Sequence, residues 1–168
     1  MKVRKTVFWM ALACAGVSVL VPALVPSVSA QPQQSEDDSA ALVREGREAL
    51  RARSYAAAAQ ALDQALALNP RRIDAYILRA AVHAAQKQYA AGVAVMRKAA
   101  TLAPGDIDVQ AALGTQLLLA GATAEGVTLL EKVVAADDKR YDALLLLGHN
   151  YYQSGRWRDA IVAYQRYL

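Results

Sequence analysis

Residues 69–105 read NPRRIDAYILRAAVHAAQKQYAAGVAVMRKAATLAPG, and the prolines within them, Pro70 and Pro104, stand one 34-residue period apart. Between the prolines, apolar residues recur at three- and four-residue spacing, which collects side chains on one face of an α-helix. Cutting the chain at the same period, with repeats beginning at Ser39, Ile73, Ile107 and Tyr141, brings matching residues into columns. The eighth position is always small: Gly46, Ala80, Gly114 and Gly148. The twentieth is small again: Ala58, Gly92, Gly126 and Ala160. That spacing suits two antiparallel helices crossing where neither carries bulk, so that the backbones approach closely. Large apolar residues fill the space around the crossing: Leu62, Met96, Leu130 and Tyr164 in the second helix, with Leu113 and Leu147 in the first. A third small column, Ala65, Ala99 and Val133, is expected to lie against the next repeat.

The period predicts helices near residues 39–52, 55–68, 73–86, 89–102, 107–120, 123–135, 141–154 and 157–168. Alanine, the best helix former, is abundant, and no segment after residue 38 alternates strictly in the manner of a half-buried strand. Gly121 and Gly155 fit the left-handed position that ends a helix, and Ser54 fits an N-cap. Pro70 and Pro104 stop helices from running on.

These columns resemble the tetratricopeptide repeat family, whose pattern asks for small residues at positions eight, twenty and twenty-seven, an aromatic near seventeen and proline at thirty-two. Tyr55, Tyr89 and Trp157 occupy the seventeenth column. The resemblance covers residues 39–168 and rests on four registers agreeing. The chain departs from the pattern at Thr123 in the aromatic column, at Asp138 in place of proline, at Glu45 and Arg79 in place of leucine, and at Tyr167 in a small column. The resemblance implies an all-α fold, an αα-superhelix (solenoid) of about four helical hairpins spanning residues 39–72, 73–106, 107–140 and 141–168.

It also implies a protein or peptide partner, held on a concave surface lined by positions two, five, nine, twelve and thirteen of each first helix. Carried over, the fifth position gives Val43, Ile77, Ala111 and Leu145, and the ninth gives Arg47, Ala81, Thr115 and His149. Arg51, Leu118 and Tyr152 complete the candidate groove, whose largely apolar floor favours an amphipathic helix or an extended apolar segment. Of the adjacent Leu118 and Leu119, one must turn away from the other. Asp74, Asp108 and Asp142 fall in the second column, where the helix macrodipole stabilises acids wherever they face. The chaperone-tail clamp of some relatives needs lysine and asparagine at positions five and nine. Neither type stands in those columns, so that partner class is disfavoured.

Ahead of the array, Lys2, Arg4 and Lys5 precede an apolar run over residues 7–21, and Val28, Ser29 and Ala30 offer small residues before a polar stretch begins. Residues 1–30 therefore read as a secretory signal peptide. The alternative is an uncleaved anchor, since no charge interrupts residues 7–30 and that length can cross a bilayer core of about 30 Å. Membrane contact is expected only if the segment is retained. Residues 31–38, rich in Gln, Ser and acid, read as a polar linker. Without residues 1–30 the formal charge falls from +4 to about +1, so nucleic acid is not implied. The single cysteine, Cys14, goes with them, leaving no thiol chemistry to the mature chain.

Motifs of catalysis are absent from the sequence. His83 and His149 stand two repeats apart in different columns, unsuited to sharing a metal or a proton. Asp137 with Asp138, and Glu36 with Asp37 and Asp38, read as solvated turns. Neither an enzyme nor a cofactor is expected. Three function classes remain open. One is an exported interaction scaffold of the bacterial periplasm or cell envelope. Another is a membrane-tethered subunit or assembly factor of a secretion, pilus or motility apparatus. The third is a carrier of a small apolar ligand. Tyr164, Tyr167 and Leu168 leave an apolar end, which admits a homodimer or a continuation through that face.

Overall fold

A computed structural model describes residues 31–168, with side chains from Gln33 onward. The expected signal peptide lies outside the described residues. Eight helices make up the described chain: α1 (Gln31–Arg51), α2 (Tyr55–Leu68), α3 (Ile73–Ala85), α4 (Tyr89–Leu102), α5 (Ile107–Leu119), α6 (Thr123–Ala136), α7 (Tyr141–Gln153) and α8 (Trp157–Tyr167). No strand occurs among the described residues. Apart from the start of α1, every boundary lies within a residue of the one read from the period.

The expected linker is a correction. α1 begins at Gln31 and runs through residues 31–38 without a break. Contacts from the next turn hold this extension. Asn69 Nδ2 donates to Glu36 Oε2 at 3.1 Å, and Arg72 Nη1 donates to Glu36 Oε1 at 3.4 Å and to Ser39 Oγ at 3.1 Å. Ser39 is fully buried and donates its hydroxyl proton to the Glu36 carbonyl.

Each hairpin turns in the same way. Arg53, Lys87, Gly121 and Gly155 occupy the fifteenth column, and all four have positive φ, at 59°, 59°, 82° and 75°. The amide after each one reaches back five residues, as from Ser54 to the Ala49 carbonyl at 2.8 Å and from Ala122 to the Leu117 carbonyl at 2.9 Å. This Schellman closure satisfies the carbonyls that a helix end leaves open. Ser54 stands at the N-cap of α2 but makes no capping hydrogen bond, whereas Asp106 caps α5 by accepting from the amides of Asp108 and Val109.

Small meets small at the crossing within each hairpin. A Cβ on Gly114 would stand 2.8 Å from Leu130 Cγ and Cδ2 and 3.5 Å from the Gly126 carbonyl, and one on Gly46 would stand 2.7 Å from Leu62 Cγ. Leu62, Met96 and Leu130 are fully buried, as are Ala65, Ala99 and Val133 at the junctions between hairpins. First helices of successive hairpins touch one another, α1 to α3, α3 to α5 and α5 to α7, while the second helices make no such contacts. Closer approach on one side curls the stack, with first helices forming the inner layer and second helices the outer one.

Candidate functional site

The inner layer sorts the expected groove residues by column. Val43 is 2% exposed and Ala111 3%. Val43 packs in a cluster with Ala75 and Val82 of α3, and Ala111 in one with Ala143, Leu144 and Leu147 of α7. Position five therefore faces the next first helix rather than the groove, and Val43 and Ala111 are withdrawn from the candidate surface. Ile77, in the same column, is half-buried, and Leu145 stays 44% exposed because no described helix follows α7 on that side. Leu118 turns toward α6, its Cδ2 standing 2.8 Å from the place of a Cβ on Gly126. Leu119 is the member of that pair that turns outward.

Positions nine and thirteen remain open in every repeat. On α1 they present exposed Arg47 and Arg51, and on α3 half-buried Ala81 and exposed Ala85. On α5 they present half-buried Thr115 and exposed Leu119, and on α7 exposed His149 and Gln153. Thr115 donates its hydroxyl proton to the Ala111 carbonyl at 2.9 Å, and His149 Nε2 lies 2.9 Å from Gln153 Nε2. Along these two columns the groove runs from basic on α1, through small on α3 and Thr115 with Leu119 on α5, to polar His149 and Gln153 on α7. Tyr152 is 57% exposed and meets Trp157, 56% exposed, edge to face with centroids 4.9 Å apart. Trp157 belongs to the aromatic column rather than to the groove columns, so the repeat pattern alone does not assign it to this surface.

The acids of the second column have partners beyond the macrodipole. Asp74 accepts from Arg72 Nε at 3.1 Å. Arg140 joins Asp108 of the preceding repeat to Asp142 of its own, with Nη2 2.9 Å from Asp142 Oδ2. The hydrogen bond from Arg140 holds the Asp142 carboxyl below the usual aspartate range, and the same bond raises the Arg140 guanidinium further. The acidic rim is therefore neutralised from within the array.

On the outer side, a depression of about 400 Å³ between α6 and α8 is floored by Leu144, Leu147 and Tyr151 of α7. Tyr151 donates to Glu131 Oε1 at 2.6 Å, and Arg156 lies 4.2 Å from its ring centroid while pairing with Asp159 at 2.7 Å. Burial, aided by the Glu131 carboxylate, pushes the Tyr151 phenol up to about 12. Glu131, Tyr151, Arg156 and Asp159 are thus occupied with one another, while Asp138 and Arg166 stand at the rim of the depression. His83 lies between Arg79 Nη1 and Gln88 Oε1, at 3.0 and 2.8 Å. No group of three or more His, Cys, Asp or Glu suited to a metal occurs among the described residues, and no described helix is long and apolar enough to cross a membrane.

Two tetratricopeptide repeat models match the sequence, over residues 43–107 and 117–168. The fold is similar to that of TTC0263, a thermophilic TPR protein of Thermus thermophilus, with a TM-score of 0.72 and 18% identity over 81% of this chain and 75% of that one. It is similar to MamA (41-end) from Desulfovibrio magneticus RS-1, with a TM-score of 0.67 and 21% identity over 80% and 76% of the two chains. It is also similar to the first TPR of Spaghetti (RPAP3), solved with the HSP90 peptide SRMEEVD, with a TM-score of 0.65 and 14% identity over 71% and 95%. At such identities the likeness is one of fold. No curated protein matches the chain.

Proposed function

Because the chain belongs to the tetratricopeptide repeat family, we propose that it is an exported protein–protein interaction scaffold of the bacterial periplasm or cell envelope, holding a partner segment along its inner layer. The observation that carries this reading is the contrast between columns. Those that join the hairpins are fully buried, whereas positions nine and thirteen of the inner layer stay accessible from α1 to α7. The polar groups there support binding over catalysis, since Thr115 bonds to its own helix and His149 to Gln153. A peptide-sized occupant accords with the Spaghetti domain and its HSP90 peptide. That peptide itself is not the expected ligand, because lysine and asparagine are missing from positions five and nine.

Export is supported by the basic start, the apolar run and the small residues at 28–30. Photo-crosslinkers placed at Ala85 and Leu119 in the native cell are expected to capture a partner, and one at Ala94 on the outer layer is expected to capture none. The reverse pattern overturns the groove. Mass spectrometry of the protein from the same cells locates its N-terminus. A start after Ala30 supports export, and retention of residues 1–30 in the membrane fraction favours the tethered subunit, which the uninterrupted apolar run would permit.

A further inference from the structure

Resting on that reading of the groove, we infer that the bound segment is bipolar, with carboxylates at the end lying over α1 and an aromatic or branched aliphatic side chain at the end lying over α7. The basic end stands on unspent charge. Arg44, Arg47 and Arg51 recur at three- and four-residue spacing, are all exposed, and make no ion pair or hydrogen bond among the described residues. Four arginines at the hairpin junctions and crossings are engaged, Arg72 with Glu36, Arg79 with Asp63, Arg97 with Glu125 and Arg140 with Asp108. Arg53, Arg71, Arg158 and Arg166 form no ion pair among the described residues, but they stand singly rather than in a stripe along one first helix. The acid of the adjoining first helix, Asp74, is held by Arg72, and among the described residues Glu45 and Glu48 of α1 itself form no ion pair with the stripe. An incoming carboxylate is the complementary group, and arginine accepts it through two parallel hydrogen bonds.

The other end adds exposed apolar side chains beside the polar His149 and Gln153. Leu119, Leu145, Tyr152 and Trp157 are each exposed by 44% or more, and the two aromatic rings brace one another. The braced aromatic pair is the anchor of this end, since exposed aromatic side chains dominate the energy of such contacts. Between the ends, Ala81 and Ala85 carry nothing beyond Cβ, so a backbone can lie close to α3. Three steps between adjacent first helices, at about 8 to 10 Å each, separate α1 from α7 by roughly 24 to 30 Å. An extended segment at about 3.3 Å per residue covers that span with roughly seven to nine residues.

The test is fluorescence anisotropy of the purified protein with labelled synthetic peptides of about that length. One peptide carries glutamates at one end and leucine with phenylalanine at the other, and two more carry a single end each. The bipolar peptide is expected to bind about tenfold tighter than either half, the scale of one charge-assisted contact. Arg47→Glu with Arg51→Glu is expected to weaken it about tenfold and to flatten its salt dependence, leaving the apolar half-peptide unaffected. Tyr152→Ala is expected to weaken the bipolar and apolar peptides and to spare the acidic one. All three positions are exposed, and unchanged circular dichroism verifies folding. Full affinity in the double arginine variant overturns the inference, as does a single-stranded oligonucleotide that outcompetes the bipolar peptide. Failure of the bipolar peptide to bind overturns it too, and the groove reading then stands or falls separately, on crosslinks at Ala85 and Leu119.

Discussion

Gly114→Ala adds one methyl group at the crossing of α5 and α6, and its cost depends on a single neighbour. The added Cβ would stand 2.8 Å from Leu130 Cγ and Cδ2, against an ordinary carbon contact of about 3.5 to 4.0 Å. Leu130 cannot withdraw, because it is 0% exposed and clustered with Val133, Leu144 and Leu147. Overpacking of this kind costs about 1 to 3 kcal/mol. Alanine returns about 0.8 to 1.0 kcal/mol through helix propensity, so the net loss is roughly 0 to 2 kcal/mol. Leu130→Ala alone opens a cavity and costs about 2 to 5 kcal/mol. In that background the clash is gone and the propensity gain remains, so Gly114→Ala becomes stabilising by up to about 1 kcal/mol. Urea unfolding of the four proteins, followed by far-UV circular dichroism, closes the double-mutant cycle. An equal effect of Gly114→Ala in both backgrounds, within about 0.3 to 0.5 kcal/mol, refutes the crossing.

At the hairpin turns, Lys87 holds φ at 59°, a conformation that costs an L-residue about 1 to 2 kcal/mol. Lys87→Gly is expected to stabilise the array by about 0.5 to 1 kcal/mol after the entropy of the unfolded glycine is counted, and an unchanged or lower Tm contradicts the turn. The Asp142 carboxyl is held below its unfolded value of about 3.9 by Arg140, so the unfolded chain takes up the proton first. That contribution is complete above about pH 4 and is lost as pH falls through the folded pKa. Asp142→Asn is expected to remove this part of the acid sensitivity, by less than about 1 kcal/mol for so exposed a carboxylate. Denaturant midpoints across the acid range check it. The Tyr151 phenol moves the other way, from about 10 when unfolded up to about 12 when folded. Its contribution is full below about pH 10 and declines as pH rises toward 12. Tyr151→Phe is expected to cost about 1 kcal/mol at neutral pH and to flatten the alkaline decline, measured by the same titration. Arg72→Ala is expected to release the start of α1, seen as faster amide exchange over residues 33–38 with α3 to α8 unchanged.

The helices, the crossings and the core were legible in the sequence because each follows from local spacing. Leu62, Met96 and Leu130 need only the period to be placed inside. The facing of position five was not legible, because it depends on how one hairpin rotates against the next, and that rotation is set jointly by side chains from three helices. Val43 and Ala111 were misassigned for that reason. Gly121 and Gly155 announced their turns, whereas Arg53 and Lys87 adopt the same conformation with side chains that give no hint of it. Only their shared fifteenth column could have revealed them. The arginines that neutralise the groove acids also had a signal, since Arg72 and Arg140 each stand two residues before an aspartate in equivalent positions.

The small columns show why fold and partner are encoded so differently. Their pairs are Gly46 with Ala58, Ala80 with Gly92, Gly114 with Gly126 and Gly148 with Ala160, so every crossing carries at least one glycine and none carries two alanines. A second methyl has nowhere to go: at Gly46 it meets Leu62, at Gly148 the ring of Tyr164, and at Gly92 the Oε1 of Gln116. Each such residue is therefore constrained by another in the same chain, and a periodic sequence displays that constraint. Positions nine and thirteen have no such neighbour. They change from arginine to alanine, then to threonine and leucine, then to histidine and glutamine, without disturbing the stack. What fills them is free of the demands of folding, and so their chemistry is available to be set by whatever the groove holds.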